Sequence, residues 1–519
     1  MPRFIPDWRT ALTLQDQGKA MEALRHFRGI GRSLVKRGGD AAPLLETARR
    51  LCLLYDYVPA LELLTAAAKN AGYPAFLLIK IALGLRQEGL FNEAAGFARL
   101  ALRRDAAGPQ AVDARLLLAE CAERRGQLDE CLEWTREVCQ THPGSIPAQR
   151  LRAAVLRRAG RLEDALTCLN PLLAKGGPAH WETCRAWFEL GHIMDERGDY
   201  AGAWQAWTQA RRCHSPAADW KLYQQQADHV WKHVALVHES LSHEQLTRWT
   251  RQPDACSANT TQTAILTGHP RSGTTLLEQA LDAHSGIISA EETTVFTSAV
   301  YRQLFQHGPP GQNPAQRLDE QTPEELRHWS TEYHGLTRLA LRSEPGSRIV
   351  LDKNPDLLQL VPAALRLLPG VKIIVMLRDP RDILVSMFAL ALPPNHTAWS
   401  YRNVSEAAKM IALRLGLWQR IRGIIPPAVF HEVRYEHATT DFSRAVEGTL
   451  DFLGCPHEAA TLDPASHSKR KIVQSPTYAA VREPIHSRAT GRWRNYEPWI
   501  SPALALLHPA IAGLGYAKD

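Results

Sequence analysis

Six stretches in the first half of the chain set apolar and small positions in the same order. Each begins with a turn residue, has an apolar residue two places on, and a small one, Ala or Cys, five places on. They start at Gly18 (GKAMEAL), Tyr55 (YDYVPAL), Gly89 (GLFNEAA), Gly126 (GQLDECL), Gly160 (GRLEDAL) and Gly198 (GDYAGAW), 34 to 38 residues apart. That period suits a pair of helices joined at the turn, where a residue without Cβ tolerates the backbone angles of a helix end. The small residue lets the helices approach each other. One pair cannot bury its apolar face alone, so the copies are predicted to stack into an N-terminal all-α solenoid. A last helix pair is predicted over 217–249, and the polar, aperiodic stretch 257–263 puts the boundary there. The expected division is a solenoid with linker helices over 1–256 and a second domain over 257–519. In the second half short apolar runs at 264–267, 349–351, 371–377 and 429–436 alternate with helical spacing. They predict an α/β domain with a buried parallel sheet.

Composition narrows the field of functions. With 45% hydrophobic and 22% charged residues the chain can bury cores, so disorder is not expected. The net charge of +7 is mild, and the densest basic stretch is only Ser468-Lys469-Arg470-Lys471. That balance suits a small anionic ligand and argues against nucleic acid. The nine Cys are odd in number and form no C-x-x-C pair. They predict reduced thiols, with neither a structural zinc nor a disulfide framework. The opening Met1-Pro2-Arg3-Phe4-Ile5 lacks the apolar core of a signal peptide, and no apolar run is long enough for a membrane span. A cytoplasmic protein is the expectation.

Candidate chemistry sits at the ends of the predicted strands. Gly268-His269-Pro270-Arg271-Ser272-Gly273-Thr274-Thr275 follows the run 264–267 and precedes the helical spacing of 276–281. A strand, a glycine loop and a helix start present free N–H groups and the positive end of a helix dipole to an anion. Thr274 stands where a nucleotide triphosphatase loop has its Lys, which argues against hydrolysis of ATP or GTP. Arg271 supplies cationic contact instead. After the run 371–377, Arg378 falls at a strand tip, Asp379 caps a helix beginning at Pro380, and Ser386 lies about two helical turns on. One rigid guanidinium and one hydroxyl make a clamp for a single further phosphate.

These motifs carry a resemblance. The repeats are similar to tetratricopeptide repeats, whose period is about 34. The two loops, in this order, resemble those of the sulfotransferases that use 3′-phosphoadenosine 5′-phosphosulfate (PAPS), over roughly residues 262–515. With Glu291-Glu292-Thr293 the first loop looks most like that of the protein-tyrosine sulfotransferases. Repeats followed by this domain resemble the bacterial tetratricopeptide-repeat sulfotransferases. The resemblance implies that Arg271, Ser272, Gly273, Thr274 and Thr275 hold the 5′ end of PAPS and that Arg378 and Ser386 hold its 3′-phosphate. By the same resemblance Tyr435, Thr477 and Arg492 contact the co-substrate, although residues 460–475 have no clear register. No metal is expected.

Sulfuryl transfer is an in-line displacement, so it needs a base for the acceptor proton and a cation at the leaving oxygen. The resemblance assigns these roles to Glu292 and to Lys353, which itself follows a strand-like run. Glu291 is the alternative to Glu292, and His269 is read as a loop residue. Thr294 follows Glu-Glu-Thr where the animal tyrosine enzymes carry an Arg that helps hold an acidic peptide, so that recognition is not implied. The acceptor is a hydroxyl of a protein tyrosine, saccharide, lipid or small phenol, with the solenoid tilting the reading toward a peptide or protein. The solenoid either binds a protein partner or serves as a scaffold. Pro-rich stretches at 307–314 and 392–396 are read as lids over the acceptor. The competing readings are a P-loop kinase-like enzyme and a catalytically dead domain on a peptide-binding scaffold.

Overall fold

The computed structural model describes residues 6–37, 41–69, 73–174, 180–214, 219–251, 262–306, 312–473, 475 and 477–517. Six helix hairpins build the first half. They pair α1 (Pro6–Asp16) with α2 (Ala20–Arg37), α3 (Ala41–Leu53) with α4 (Tyr57–Lys69), and α5 (Ala75–Gln87) with α6 (Phe91–Arg104). The next three pair α7 (Ala111–Arg125) with α8 (Leu128–Thr141), α9 (Ile146–Arg158) with α10 (Leu162–Leu173), and α11 (Trp181–Glu196) with α12 (Tyr200–His214). All six turn residues take positive φ, from 63° at Tyr55 to 80° at Gly126. The small residues five places on, Ala23, Ala60, Ala94, Cys131, Ala165 and Ala203, are all fully buried. Each is where the helices of a hairpin close on each other. Helices α13 (Trp220–Ser240) and α14 (His243–Arg251) follow; the expected boundary at 256–257 lies outside the described residues.

Five strands form one parallel sheet in the order β2-β3-β1-β4-β5: β1 (Thr263–Gly268), β2 (Ile287–Ser289), β3 (Ile349–Lys353), β4 (Lys372–Leu377) and β5 (Phe430–Arg434). Three residues of β2 are too few to show a period in sequence, and this strand was not predicted. The run at 429–436 ends as a strand at Arg434, because Tyr435 starts a helix (Tyr435–Thr440) whose Glu436 accepts the Asp379 amide at 2.9 Å. Asp379 caps α16 (Pro380–Phe388) as expected, accepting from the Arg381 amide at 2.9 Å.

Alternate side chains of the sheet enter different cores. Ala264, Leu266, Ile374 and Met376 pack under α15 (Thr274–Asp282) and the helix Phe442–Leu453. Ile265, Ile373, Val375 and Leu377 belong to a core that runs on without a break into the helical half. At the junction Trp204 of α12 stacks on Phe388 of α16, with ring centroids 4.3 Å apart. Arg211 of α12 is buried and donates to the carbonyls of Phe388, Met387 and Tyr401 at 2.8–3.2 Å. One side chain thus ties the end of α16 to the residue after the helix His396–Ser400; the Met387 carbonyl also accepts from the Leu390 amide at 3.2 Å. Among the described residues no helix is long and apolar enough to cross a membrane, and the eight described Cys are free thiols.

Arg211→Met removes the donors while keeping the stem, and takes their buried partner from the Phe388 and Tyr401 carbonyls. We expect a loss of about 2–4 kcal/mol, read as a lower melting temperature in a thermal unfolding scan. An unchanged melting temperature would contradict this account of the junction.

Candidate active site

The sheet reverses its winding between β1 and β4, so the crevice at the carboxyl ends of these strands is where an α/β sheet takes a ligand. The loop from β1 lies there. Gly268 leaves the strand at φ 150°, and a Cβ on it would strike the Met376 backbone of β4. Gly273, at φ 98°, starts α15, and a Cβ there would sit 2.5 Å from the Tyr435 ring. Arg271 also takes positive φ, 74°, a strained conformation for a residue with a side chain. The loop closes on itself where the Ser272 amide donates to the His269 carbonyl at 3.1 Å. Ser272, Thr274 and Thr275 are buried in it.

The residues of the second motif gather around this loop. Arg378 Nη1 donates to the Arg271 carbonyl at 2.8 Å, and Arg271 Nε donates to Ser386 Oγ at 2.9 Å. Tyr435 lies under the Arg378 guanidinium, 4.7 Å away. Thr477 donates to Thr275 Oγ1 at 2.9 Å, and Ser475 completes a cluster of three hydroxyls. Arg492 reaches the same region but pairs with Asp195 of α11 at 2.8 Å. Burial first, then repulsion from Arg378 and Arg492, pulls the Arg271 pKa down to about 10. Three guanidinium groups crowd here, while Ser272 Oγ and Arg378 Nε are buried without hydrogen-bond partners among the described residues. A ligand with more than one anionic group fits this cradle.

A second cluster lies one strand away, at the tip of β3. Lys353 is completely buried; its ammonium donates to Glu292 at 2.6 Å and lies 3.2 Å from Glu278 of α15. Burial alone would lower the Lys353 pKa, but the two carboxylates raise it above its ordinary value. Glu278 is equally buried, its pKa raised by burial against the pull of Lys353, and it accepts from Ser289 Oγ at 2.6 Å. Glu291, the alternative base, takes φ 54° and pairs with Lys471 at 3.1 Å. His269 is turned inward: its Nδ1 meets the Pro270 carbonyl at 2.7 Å and its Nε2 the Tyr401 hydroxyl at 2.9 Å. Both ring nitrogens are therefore occupied by protein. Burial and Arg414 hold its pKa well below the ordinary value.

Glu292 lines a cleft of about 840 Å³ that residues at the hairpin turns also line, with Tyr55, Glu88, Gly89, Phe91 and Gln127. Of the two Pro-rich stretches, 307–311 lie outside the described residues, and the second runs into the helix His396–Ser400. Sequence reasoning missed Glu278, Ser475, Lys471 and Tyr55. Glu278 carried a signal, since a carboxylate sits next to Leu277 on the buried stripe of α15. The others come from distant segments.

With this geometry in view, the likeness to known proteins is specific. Residues 264–459 match the model of the sulfotransferase family. An uncharacterized protein of Aquifex aeolicus is 21% identical over 448 residues, 85% of this chain and 56% of that protein. Protein-tyrosine sulfotransferase 2 of Gallus gallus is 27% identical over 262 residues, 48% of this chain and 68% of that protein. The solved sulfotransferase domain of the Synechococcus PCC 7002 olefin synthase shares 20% identity, with 51% of this chain and 98% of that chain covered and a TM-score of 0.34. The chain spans just over half the length of its Aquifex relative. The sulfotransferase-family match lies over residues 264–459, the stretch that carries both loops, Glu292 and Lys353.

The neighbour of Lys353 on β3 yields a pH test. Asp352 is fully buried and accepts from the Tyr333 hydroxyl at 2.8 Å. Burial pushes its pKa up to about 7, against the lowering effects of Tyr333 and Lys353. The folded chain thus holds this proton more tightly than the unfolded chain, where Asp titrates near about 3.9. Stability from this group is full below about pH 4 and is lost as pH rises toward about 7. Asp352→Asn is expected to melt above the wild type at pH 8 and close to it at pH 4. A gain of equal size at both pH values would show that Asp352 is charged throughout.

Proposed function

We propose that this protein transfers a sulfuryl group from PAPS to a hydroxyl acceptor. The observation that carries the reading is the pairing of two sites: a cradle of three guanidinium groups at the β1–β4 crevice, and a buried Lys353 paired with a half-buried Glu292 that lines the 840 Å³ cleft. The donor supplies the sulfuryl group and departs as 3′,5′-ADP. Arg271, Ser272, Gly273, Thr274 and Thr275 would hold its 5′ end. Arg378 and Ser386 would hold the 3′-phosphate, with Tyr435, Thr477 and Arg492 as further contacts. Glu292 takes the proton from the acceptor hydroxyl as the oxygen–sulfur bond forms. Lys353, kept charged by Glu278, then faces the negative charge gained by the leaving phosphate oxygen.

The same reading treats the helix hairpins as tetratricopeptide repeats ahead of a transferase domain beginning near residue 257. The relatives named protein-tyrosine sulfotransferase and the repeat turns on the cleft wall support a peptide or protein acceptor. Nothing in the reading calls for a metal.

Calorimetric titration of 3′,5′-ADP and of ATP tests the donor. Tight binding of 3′,5′-ADP is expected, with ATP much weaker, and Arg378→Ala should weaken it roughly 30- to 150-fold, or about 2–3 kcal/mol. Preference for ATP, or binding of neither, would refute the reading. Glu292→Gln should lower kcat about 10²- to 10⁴-fold in a labelled-PAPS transfer assay and leave 3′,5′-ADP affinity unchanged. Transfer at the wild-type rate would remove Glu292 as the base.

A further inference from the structure

One of the six helix turns breaks the pattern of the others. Five place Gly at positive φ, but the second places Tyr55 there, at φ 63°. A side chain in this left-handed region crowds its own backbone, and glycine would remove that strain. Strain of this kind persists where the surrounding structure uses the side chain. The Tyr55 ring stands beside Tyr57, half-buried and on the wall of the 840 Å³ cleft. Its hydroxyl crosses from the helical half to the sheet half. It meets Thr294 Oγ1 at 2.6 Å and accepts from the Thr294 amide at 3.2 Å.

The segment it reaches is the one that bears Glu292. Lys471 pairs with Glu291 at its start. Lys353 and Asn354 hold its middle, with the Asn354 amide donating to the Thr293 carbonyl at 2.7 Å. At its end Thr294 accepts from the Ser298 amide at 2.8 Å, where a π-helical turn, Phe296–Tyr301, begins. Irregular turns of this kind recur at functional sites. Tyr55 is the anchor that the repeat half contributes to this segment.

We propose that Tyr55 is a positioning residue through which the repeat half holds segment 292–294, so that the Glu292 carboxylate faces the acceptor cleft. The repeats are then a working wall of the acceptor site. This inference rests on the reading of Glu292 as the base. It accounts for the strained residue: glycine would make an easier turn but would remove the two Tyr55–Thr294 hydrogen bonds.

Two variants separate positioning from folding. Tyr55→Phe keeps the ring and removes the hydroxyl, whereas Tyr55→Gly restores the turn used by the other five hairpins. Hydrogen exchange of the Thr294 amide, followed by NMR on the full chain, requires no activity and is expected to be about tenfold faster in Tyr55→Phe. In PAPS-dependent transfer to a phenolic acceptor, both variants should lose about 10- to 100-fold in kcat. Their 3′,5′-ADP affinity should stay within about twofold, and Tyr55→Phe should melt within ~2 °C of the wild type. Tyr55→Gly should melt no lower than Tyr55→Phe. Unchanged Thr294 exchange overturns the proposal, as does a kcat loss matched by weaker 3′,5′-ADP binding and a lower melting temperature. A wild-type protein that transfers to no acceptor would instead refute the transferase reading. The exchange experiment then still decides whether Tyr55 holds the segment.

Discussion

A single buried ammonium organises the site. Lys353 lies at the end of β3 with no exposed surface, and a charge so placed costs several kcal/mol unless opposite charge surrounds it. Glu278 and Glu292 meet that demand from two directions, one on the helix that follows the phosphate loop and one on the segment after β2. Glu278 is itself buried and needs both the Lys and the Ser289 hydroxyl. The strand tip, the loop helix and the carboxylate segment therefore converge on Lys353, because its buried ammonium needs the carboxylates.

The cradle next to it follows the opposite rule. Arg271, Arg378 and Arg492 lie close enough for mutual repulsion to lower the Arg271 pKa beyond the effect of burial. Arg271 also holds a strained backbone. Repulsion and strain of this sort are a cost to the folded chain that a polyanionic ligand relieves. Lys353 has two counter-charges built in and Arg492 has Asp195, whereas Arg271 donates to a neutral hydroxyl and Arg378 to carbonyls.

The helical half contributes to both sites. Asp195 steadies Arg492, Glu123 takes the Tyr478 hydroxyl next to Thr477, and Arg124 donates to the Val473 carbonyl at 2.8 Å. The segment near residues 473–492 is thus clasped by the repeats as well as by the phosphate loop. A continuous apolar core and the buried Arg211 complete the attachment. The hairpins form part of the site's frame, in keeping with a core that has no seam between the halves.

Whatever depends on neighbours along the chain could be read from the sequence. The six turns, the small residues that close each hairpin, the β1, β3 and β4 runs, the glycine loop and the Asp379 cap all follow from local backbone preference and apolar spacing. These are set within a few residues, so a linear pattern reports them. The three-residue β2 and the turn of the chain at Tyr435 did not show, since pairing and packing, not propensity, decide such short pieces. Only the tertiary structure brought Glu278 to Lys353, Ser475 to Thr275 and Tyr55 to Thr294, the last two across 200 and 239 residues. Sequence alone determined which chemical groups were at hand and on which kinds of element they stood. Which carboxylate meets which cation, and which turn reaches the site, was decided by desolvation. Buried charges and hydroxyls must find partners, and only the folded chain determines which ones are within reach.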